Sequence, residues 1–169
     1  MYEQMVGVQF QQAGVDDAGT LLSIKRAAIG GIDSDVYDQR QLEGWQPDID
    51  AASDFERAIA SDTFDVVLAR VDGTDAAYGV LNATAGRIDA LYVRPEYSGE
   101  GIATSLAGQL ESRARMRGIE EIEIVSSLNA RPFYETLGYR TCDAKHRTID
   151  GVELEFAVMR KRIDGDPDR

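Results

Sequence analysis

The composition of the chain describes one acidic domain. Its 169 residues are 43% hydrophobic, enough for a single domain with a sizeable core. Its 30 acidic residues against 18 basic ones give a net charge of −12, and the basic stripe that nucleic-acid binding requires is missing. Cys142 and His146 are the single residues of their types. They exclude a disulfide framework and a cysteine cluster, so we expect no metal site.

The choice of charged residues is uneven. Of the basic residues 15 are arginine and three are lysine, while 18 of the acids are aspartate. Such an aspartate-rich, lysine-poor surface resembles those of halophilic proteins from salt-accumulating organisms; a merely acidic protein is the alternative. Neither a secretory leader nor an apolar membrane span is predicted, so we expect a cytoplasmic protein without membrane contacts. A homodimer is compatible with the sequence, which specifies no oligomeric state.

Taken in chain order, periodicity and turn residues predict a mixed α/β domain. Helices are predicted at about 16–30, 37–45 and 51–60, then from 102 to about 118, with a short one capped by Asn129 and closed by Gly138. The predicted strands are 6–10, 64–71, 76–84, 87–93, 121–125, 139–148 and 152–159. Residues 1–162 form a single domain in this interpretation, and residues 163–169 form a frayed C-terminal tail.

The segment 91–103, LYVRPEYSGEGIA, carries the strongest functional signal. It predicts a strand that ends at a proline, turns through Gly99 and Gly101, and opens a helix near Ile102. Glycine accepts positive φ and lets main chain approach a ligand closely. The start of the helix adds unpaired N–H groups and the positive end of its dipole. Together these features predict a site for a phosphate-bearing ligand.

Two nucleotide-binding motifs fit this segment less well. A P-loop needs a lysine directly after its last glycine, where this chain has Ile102. A dinucleotide fingerprint needs a third glycine, where Thr104 stands, and repeated strand–helix units that are not predicted. A nucleotide-binding α/β domain therefore ranks below the interpretation that follows.

The run Leu91-Tyr92-Val93-x-Pro95, followed by Gly101-Ile102-Ala103, resembles motif A of the GCN5-related N-acetyltransferase (GNAT) superfamily. The chain departs from that motif at Ser98, where the family commonly has Gln or Arg. The segment 129–139, NARPFYETLGY, is similar to motif B in its Asn, its Phe-Tyr-Glu core and its closing Gly-aromatic pair. Both motifs stand in the family's order and spacing, and the resemblance covers about residues 62–160.

The resemblance implies a GNAT fold, in which a central, mostly antiparallel mixed sheet has splayed strands and flanking helices. It also implies acetyl-CoA as co-substrate, with pantetheine pairing with main chain along the strand that contains Leu91 and Val93, as in strand addition. The cofactor-binding residues implied in this way are Leu91, Tyr92, Val93, Ser98, Gly99, Glu100, Gly101, Ile102, Ala103, Thr104, Asn129 and Tyr134.

Two catalytic side chains follow from the same resemblance. Tyr134 matches the family tyrosine that often protonates the leaving sulfur, and an ordinary tyrosine pKa of ~10 keeps it protonated at neutral pH. A core tyrosine is the alternative. Asp89 lies where family members often carry an acid that deprotonates the amine through water; a solvated strand acid is the alternative. Regular alternation would place Asp89 and Leu91 on one face, and Ile88, Ala90 and Tyr92 on the other.

The acceptor side is less defined by sequence. The stretch from Tyr37 to Pro47 resembles a Tyr…Gln-Leu-x-x-Trp-x-Pro segment in one branch of stand-alone GNATs, where the region forms a wall of the acceptor site. Tyr37 and Trp45 are therefore candidate substrate contacts, with core packing as the alternative. The whole interpretation is an acetyl-CoA-dependent N-acetyltransferase that acts by direct transfer on a small-molecule or peptide amine. A non-catalytic acyl-CoA-binding sensor or interaction module is its rival.

Overall fold

The structure, a computed structural model, describes residues 7–32, 37–38, 40–41, 52–149 and 151–164. The strands are β1 (Val8–Gln12), β2 (Phe64–Val71), β3 (Thr74–Asn82), β4 (Arg87–Val93), β5 (Glu121–Ser127), β6 (Arg140–Ile149) and β7 (Val152–Arg162). The α-helices whose two ends lie within the described residues are α1 (Ala18–Gly30), α2 (Ala52–Ala60), α3 (Ile102–Met116) and α4 (Arg131–Thr136). Most of the predicted elements are found, with boundaries that move by a few residues.

One mixed sheet organises the chain. Its strand order is β1-β2-β3-β4-β5-β7-β6, and every neighbouring pair is antiparallel except β4 and β5. Those two strands run parallel and pair at two positions, Arg87 with Glu123 and Ile88 with Ile124. Beyond Ile88 they separate, so the β5-facing edge of β4 has no strand partner among the described residues. The predicted mostly antiparallel sheet with splayed strands is confirmed.

Helices cover both faces of this sheet. Leu106 and Leu110 of α3 pack on one face, together with Tyr134 of α4. A Cβ on Gly79 of β3 would lie 2.7 Å from Leu110 Cδ1, so glycine at this position allows α3 to approach the sheet closely. On the opposite face, α1 packs beside Phe55 and Ile59 of α2, which stand at i and i+4 and so share one side of that helix.

The alternation predicted for β4 is wrong, because the strand contains a bulge. Val80 of β3 pairs with Ala90, but the next residue of β3 pairs with Ile88, which leaves Asp89 as the extra residue. A bulge shifts the residues on its two sides by one position. Ile88 therefore packs on the α3 face with Leu91 and Val93, while Ala90 and Tyr92 pack on the α1 face.

Smaller differences concern the ends of elements. The cap of α4 is Ala130 and makes no side-chain cap hydrogen bond, so the prediction of Asn129 as the cap is wrong by one residue. The cause is a turn in which the Ala130 N–H donates to the Ser127 oxygen at 3.2 Å. The helix therefore begins one residue later, at Arg131. Ile163, expected in the frayed tail, is buried, and its N–H donates to Glu120 O at 2.9 Å. The tail beyond residue 164, and most of the helix predicted at 37–45, lie outside the described residues.

Candidate active site

Two glycines shape the loop that follows β4. After a 3-10 turn at Pro95–Tyr97, Gly99 and Gly101 take φ angles of 79° and 82°, in the left-handed region that favours glycine. Gly101 directly precedes α3 and serves as its cap. The first intrahelical acceptor is the Gly101 oxygen, which receives the Ser105 N–H at 3.1 Å. The N–H groups before Ser105 have no acceptor within the helix.

Open space borders this loop. A Cβ added to Gly99 or Gly101 would meet no heavy atom within 4 Å, so bare main chain faces a cavity. The cavity has a volume of about 360 Å³, and we call it the loop cavity. It is lined by Val93, Tyr97, Ser98, Gly99, Gly101, Ile102, Ala103, Thr104 and Phe133. Glu100 is exposed and is not among these lining residues.

A second cavity, also of about 360 Å³, lies between the end of α1, β4 and the segment that leads into α4. We call it the central cavity. It shares Val93, Ser98, Ala103 and Phe133 with the loop cavity, so the two form one continuous cleft. Its other lining residues are Ala28, Gly31, Ile32, Leu91, Tyr92, Pro95, Ser127, Asn129, Ala130 and Tyr134.

The gap between the splayed strands opens off the central cavity. It is a small cavity of about 50 Å³, bordered by β4 residues from Ile88 to Tyr92 and by β5 residues from Ile124 to Ser127. Asp89 and Tyr134 both line it. The structure therefore brings the two candidate catalytic side chains to the same opening in the sheet.

Tyr134 is buried where this gap meets the central cavity. Its ring makes T-shaped contacts with Phe133 and with Tyr139, at centroid distances of 5.1 and 5.8 Å. Burial, and next the neighbouring Tyr92, raise the pKa of Tyr134 well above the ordinary tyrosine value. No described residue hydrogen-bonds its hydroxyl, and no fully buried polar side-chain atom of the described residues lacks a partner. The hydroxyl, still carrying its proton, therefore borders the cavity.

Two side chains hold Asp89, one from the start of its own strand β4 and one from the end of β3. Its Oδ1 accepts from Arg87 Nε, and its Oδ2 accepts from Asn82 Nδ2 at 3.3 Å. A carboxylate has about four acceptor positions, so these two bonds leave further positions for water or substrate. Asp89 is the one acidic side chain among the described residues that line the three cavities.

The candidate substrate contact Tyr37 is placed in the core. Its side chain is 2% exposed, and its hydroxyl donates to Glu155 O and accepts from Leu128 N, both at 2.8 Å. Tyr37 thus joins β7 to the segment that follows β5, and it does not line the three cavities. Trp45 lies outside the described residues. Asn129, no longer a cap, is exposed at the rim of the central cavity.

The sequence did not predict that the end of α1 forms one wall of the cleft. Ala28, Gly31 and Ile32 close the central cavity from the end of α1, and no motif marks them. Phe133 lines both larger cavities. Its signal was present, since it stands beside Tyr134 within the second motif.

A known protein family matches this chain. A model of the acetyltransferase (GNAT) domain family matches residues 33–163, well over half of the chain. The chain belongs to the GNAT family. This confirms the predicted superfamily, and the GNAT domain makes the protein an acetyltransferase.

Individual GNAT proteins are similar over nearly the whole chain. The uncharacterized N-acetyltransferase YafP of Escherichia coli (strain K12) is 25% identical over 156 residues, which are 92% of this chain and 97% of that protein. A GCN5-related N-acetyltransferase of Rhodopseudomonas palustris, described as "Aminotransferase, Class-II", is 28% identical with a TM-score of 0.81, covering 91% of this chain and 94% of its own. The PaiA N-acetyltransferase of Thermoplasma acidophilum, solved in complex with coenzyme A, shares the fold at 20% identity and a TM-score of 0.75, with 92% and 98% covered.

Two further observations concern the described residues alone. None of their helices has both the length and the apolar character that crossing a bilayer requires. No group of three or more His, Cys, Asp or Glu side chains among them is arranged to hold a metal ion.

Proposed function

We propose that this GNAT protein transfers the acetyl group of acetyl-CoA directly to a primary amine held in the central cavity. The observation that carries the proposal is the continuity of the cleft. It runs from the glycine loop, past the open edge of β4, to the Tyr134 hydroxyl. A phosphate-bearing cofactor at one end and an amine at the other would meet at the strand gap.

The residues present fit coenzyme A. The Gly99–Gly101 loop and the start of α3 offer main-chain N–H groups to a pyrophosphate, and no side chain fills the space in front of them. Ser98 offers a hydroxyl where the family motif has a longer Gln or Arg. The open edge of β4 offers main-chain groups to an extended arm, as in strand addition.

Direct transfer requires one bond to form and one to break. The amine nitrogen bonds to the acetyl carbon, and the bond from that carbon to sulfur is cleaved. Acetyl-CoA supplies the activated thioester. The protein must remove a proton from the ammonium and deliver one to the departing sulfur, and holding both reactants in one cleft supplies much of the rate.

We assign these proton transfers to Tyr134 and Asp89. Tyr134 donates to the sulfur, because its hydroxyl borders the cavity and its raised pKa keeps it protonated. Asp89 accepts the amine's proton through water at the same opening. A main-chain N–H of the open β4 edge, near Val93, polarises the thioester carbonyl.

Ligand binding tests the cofactor assignment. Coenzyme A or acetyl-CoA should raise the melting temperature, and at a 100-fold excess over Kd the free energy of unfolding should rise by about 2.7 kcal/mol. ATP and NAD should not act in this way, since the loop lacks the P-loop lysine and the third glycine. Equal shifts from ATP and coenzyme A would contradict the assignment.

A turnover assay distinguishes an acetyltransferase from a non-catalytic acyl-CoA sensor. Release of free thiol from acetyl-CoA should depend on an added amine when a broad amine panel is screened. A protein that binds acetyl-CoA tightly and transfers to no amine would support the acyl-CoA sensor instead.

A further inference from the structure

A lysine stands beside the central cavity on the α1 face of the sheet. Lys25 lies one helical turn before Ala28, which lines that cavity, and residues at this spacing share a helix side. The Lys25 ammonium is 5.8 Å from the centroid of the Tyr92 ring. Tyr92 lines both the central cavity and the strand gap. The ammonium thus lies next to a residue that lines both the central cavity and the strand gap, although Lys25 itself lines neither.

An arginine reaches the same face from the sheet edge. Arg147 of β6 pairs with Leu154 of β7, and Leu154 packs with Phe156 and Tyr37 in a buried cluster. Directly paired residues share a sheet face, so Arg147 points toward α1. Its guanidinium lies 5.4 Å from the centroid of the Phe156 ring.

The two rings that lie next to these cations belong to one packed region. Tyr92 packs against the buried cluster that contains Phe156. The Arg147 charge acts on Lys25, since it lowers the pKa of the lysine after the larger effect of burial. Lys25 and Arg147 thus form one locus of like charge, which we call the Lys25–Arg147 pair.

Neither cation has an anionic partner among the described residues. Eight other Lys and Arg side chains of these residues lie within 4.0 Å of a carboxylate, so pairing is the norm in this acidic chain. The acid that acts on Lys25 is Asp54, and its carboxylate already pairs with Arg57. Lys25 is half-buried and Arg147 is exposed, so solvent weakens their mutual repulsion, and a bound anion would offset what remains of it.

We propose that the Lys25–Arg147 pair is an anion subsite of the acceptor cleft, and that the acceptor is a small amine bearing a carboxylate. This inference rests on the proposed acetyl transfer. The guanidinium of Arg147, next to the Phe156 ring, has the planar donor geometry that binds a carboxylate through two hydrogen bonds, while the lysine adds a point charge. With the carboxylate there, the amine of a compact acceptor extends past Tyr92 toward the strand gap.

The positive charge of the Lys25–Arg147 pair and the net negative charge of the chain favour acceptors of opposite charge. A net charge of −12 would favour cationic acceptors and repel carboxylates. Charges farther apart than about 8–10 Å are screened at physiological ionic strength. The potential near Tyr92 therefore depends on nearby charges such as that of the half-buried Lys25 and not on the net charge of the chain.

Matched acceptors test the carboxylate. Thiol release should be measured for L-amino acids, for the corresponding amino acid amides and for the decarboxylated amines. We expect kcat/KM to be about 10- to 100-fold higher for the acids, the range of a charge-assisted hydrogen bond. The amides have the less basic amine, so a larger fraction of it is neutral and reactive at a given pH. This difference favours the amides, so faster turnover of the acids could not arise from amine basicity. Equal rates across the three series would overturn the subsite and leave acetyl transfer intact.

Two variants locate the effect. Lys25→Gln and Arg147→Gln should each reduce kcat/KM for the acids by about 10-fold or more, mainly through KM, and leave the amides unchanged. Arg140→Gln is the matched control, because it removes one exposed positive charge from the far end of β6. Loss of turnover toward acids and amides alike would contradict a carboxylate contact.

A binding measurement keeps the test independent of turnover. An N-acetyl-L-amino acid should bind the coenzyme A-saturated parent, and binding should be lost in Lys25→Gln and Arg147→Gln but kept in Arg140→Gln. Binding that is equal in all four proteins, or absent from the parent, would overturn the subsite. Failure of acetyl transfer itself would be recognised separately, as coenzyme A binding with no thiol release for any amine.

Discussion

The Tyr134 hydroxyl is the single atom on which the proposed chemistry depends most. Tyr134→Phe keeps the ring and its T-shaped contacts with Phe133 and Tyr139 but removes the proton donor. If that proton goes to the leaving sulfur, kcat should fall by about 10²-fold or more. Coenzyme A affinity, measured by calorimetry, should change little, because the loop cavity does not include Tyr134.

Asp89→Asn is the informative companion to this variant. Asparagine retains one oxygen acceptor for Arg87 or Asn82 but cannot take up a proton. A drop in kcat at neutral pH that shrinks as the pH rises, where the amine loses its proton in solution, would support Asp89 as base. Full turnover in both variants would contradict the two assignments and leave the cofactor loop as the supported part of the site.

At the residue scale, the sequence predicted the identities of side chains better than their orientations. The family resemblance implied that Asp89 and Tyr134 take part in the reaction, and both line the strand gap, while their catalytic roles stay predictions. The bulge at Asp89 depends on how β3 pairs with β4 and leaves no mark in local alternation. The Lys25–Arg147 pair joins residues more than a hundred positions apart, and local patterns cannot predict such a contact.

The glycine loop is the element that we expect to be most sensitive to a single methyl group. Gly101→Ala forces an L residue to φ 82°, at a cost of about 1–2 kcal/mol. No atom lies within 4 Å of the new Cβ, so the cost arises in the backbone and in the space proposed for phosphate. We expect a lower melting temperature and at least a tenfold weaker coenzyme A affinity.

The same helix supplies a control for that experiment. Gly108 lies inside α3, is exposed, and would also place a Cβ in open space. Its φ is not positive, so Gly108→Ala should stabilise the helix by about 0.5–1 kcal/mol and leave coenzyme A binding unchanged. Parallel losses of affinity in both variants would argue that the helix as a whole, and not the loop, controls binding.

A buried polar cluster joins α3 to β7 and to Tyr139, the residue directly before β6. Glu111 accepts from the Tyr139 hydroxyl at 2.9 Å and from Lys161 Nζ at 3.0 and 3.1 Å. Glu111→Gln removes the charge that Lys161 faces, and we expect a loss of about 1–3 kcal/mol in the free energy of unfolding. Denaturant unfolding would measure it. Arg162→Gln, which breaks exposed ion pairs, should cost less than about 1 kcal/mol.

At the element scale, helices and strands followed from periodicity, while Glu111 did not. The apolar residues Leu106, Leu110 and Ala114 recur at helical spacing, and all three are buried on one side of α3. Glu111 shares that side, although a carboxylate in the pattern predicts a solvent-facing position. Its partners Tyr139 and Lys161 come from distant segments, so tertiary contacts decide its burial.

For the whole molecule, the order of elements and the splayed sheet agree with what the two motifs implied. Propensity alone predicted a mixed α/β domain. The parallel β4–β5 pair, and the cleft where it opens, required the family resemblance, because strand pairing is not encoded in local composition. The acceptor stretch around Trp45 lies outside the described residues, so its predicted role stays a prediction.

The overall charge leads to a prediction about salt. An excess of 12 negative charges repels itself in dilute buffer, and dissolved ions screen that repulsion. We expect the melting temperature to rise as KCl increases from millimolar to molar concentration.

Glu56 and Glu135 are exposed on α2 and α4, so Glu56→Gln and Glu135→Gln should melt above the parent in dilute buffer. Their advantage should vanish in concentrated KCl, where the repulsion they relieve is already screened. Two results would exclude self-repulsion as the cause: a parent melting temperature that is flat or falls with KCl, or variants whose advantage persists in molar KCl. Either result would remove the halophilic interpretation of the aspartate-rich surface.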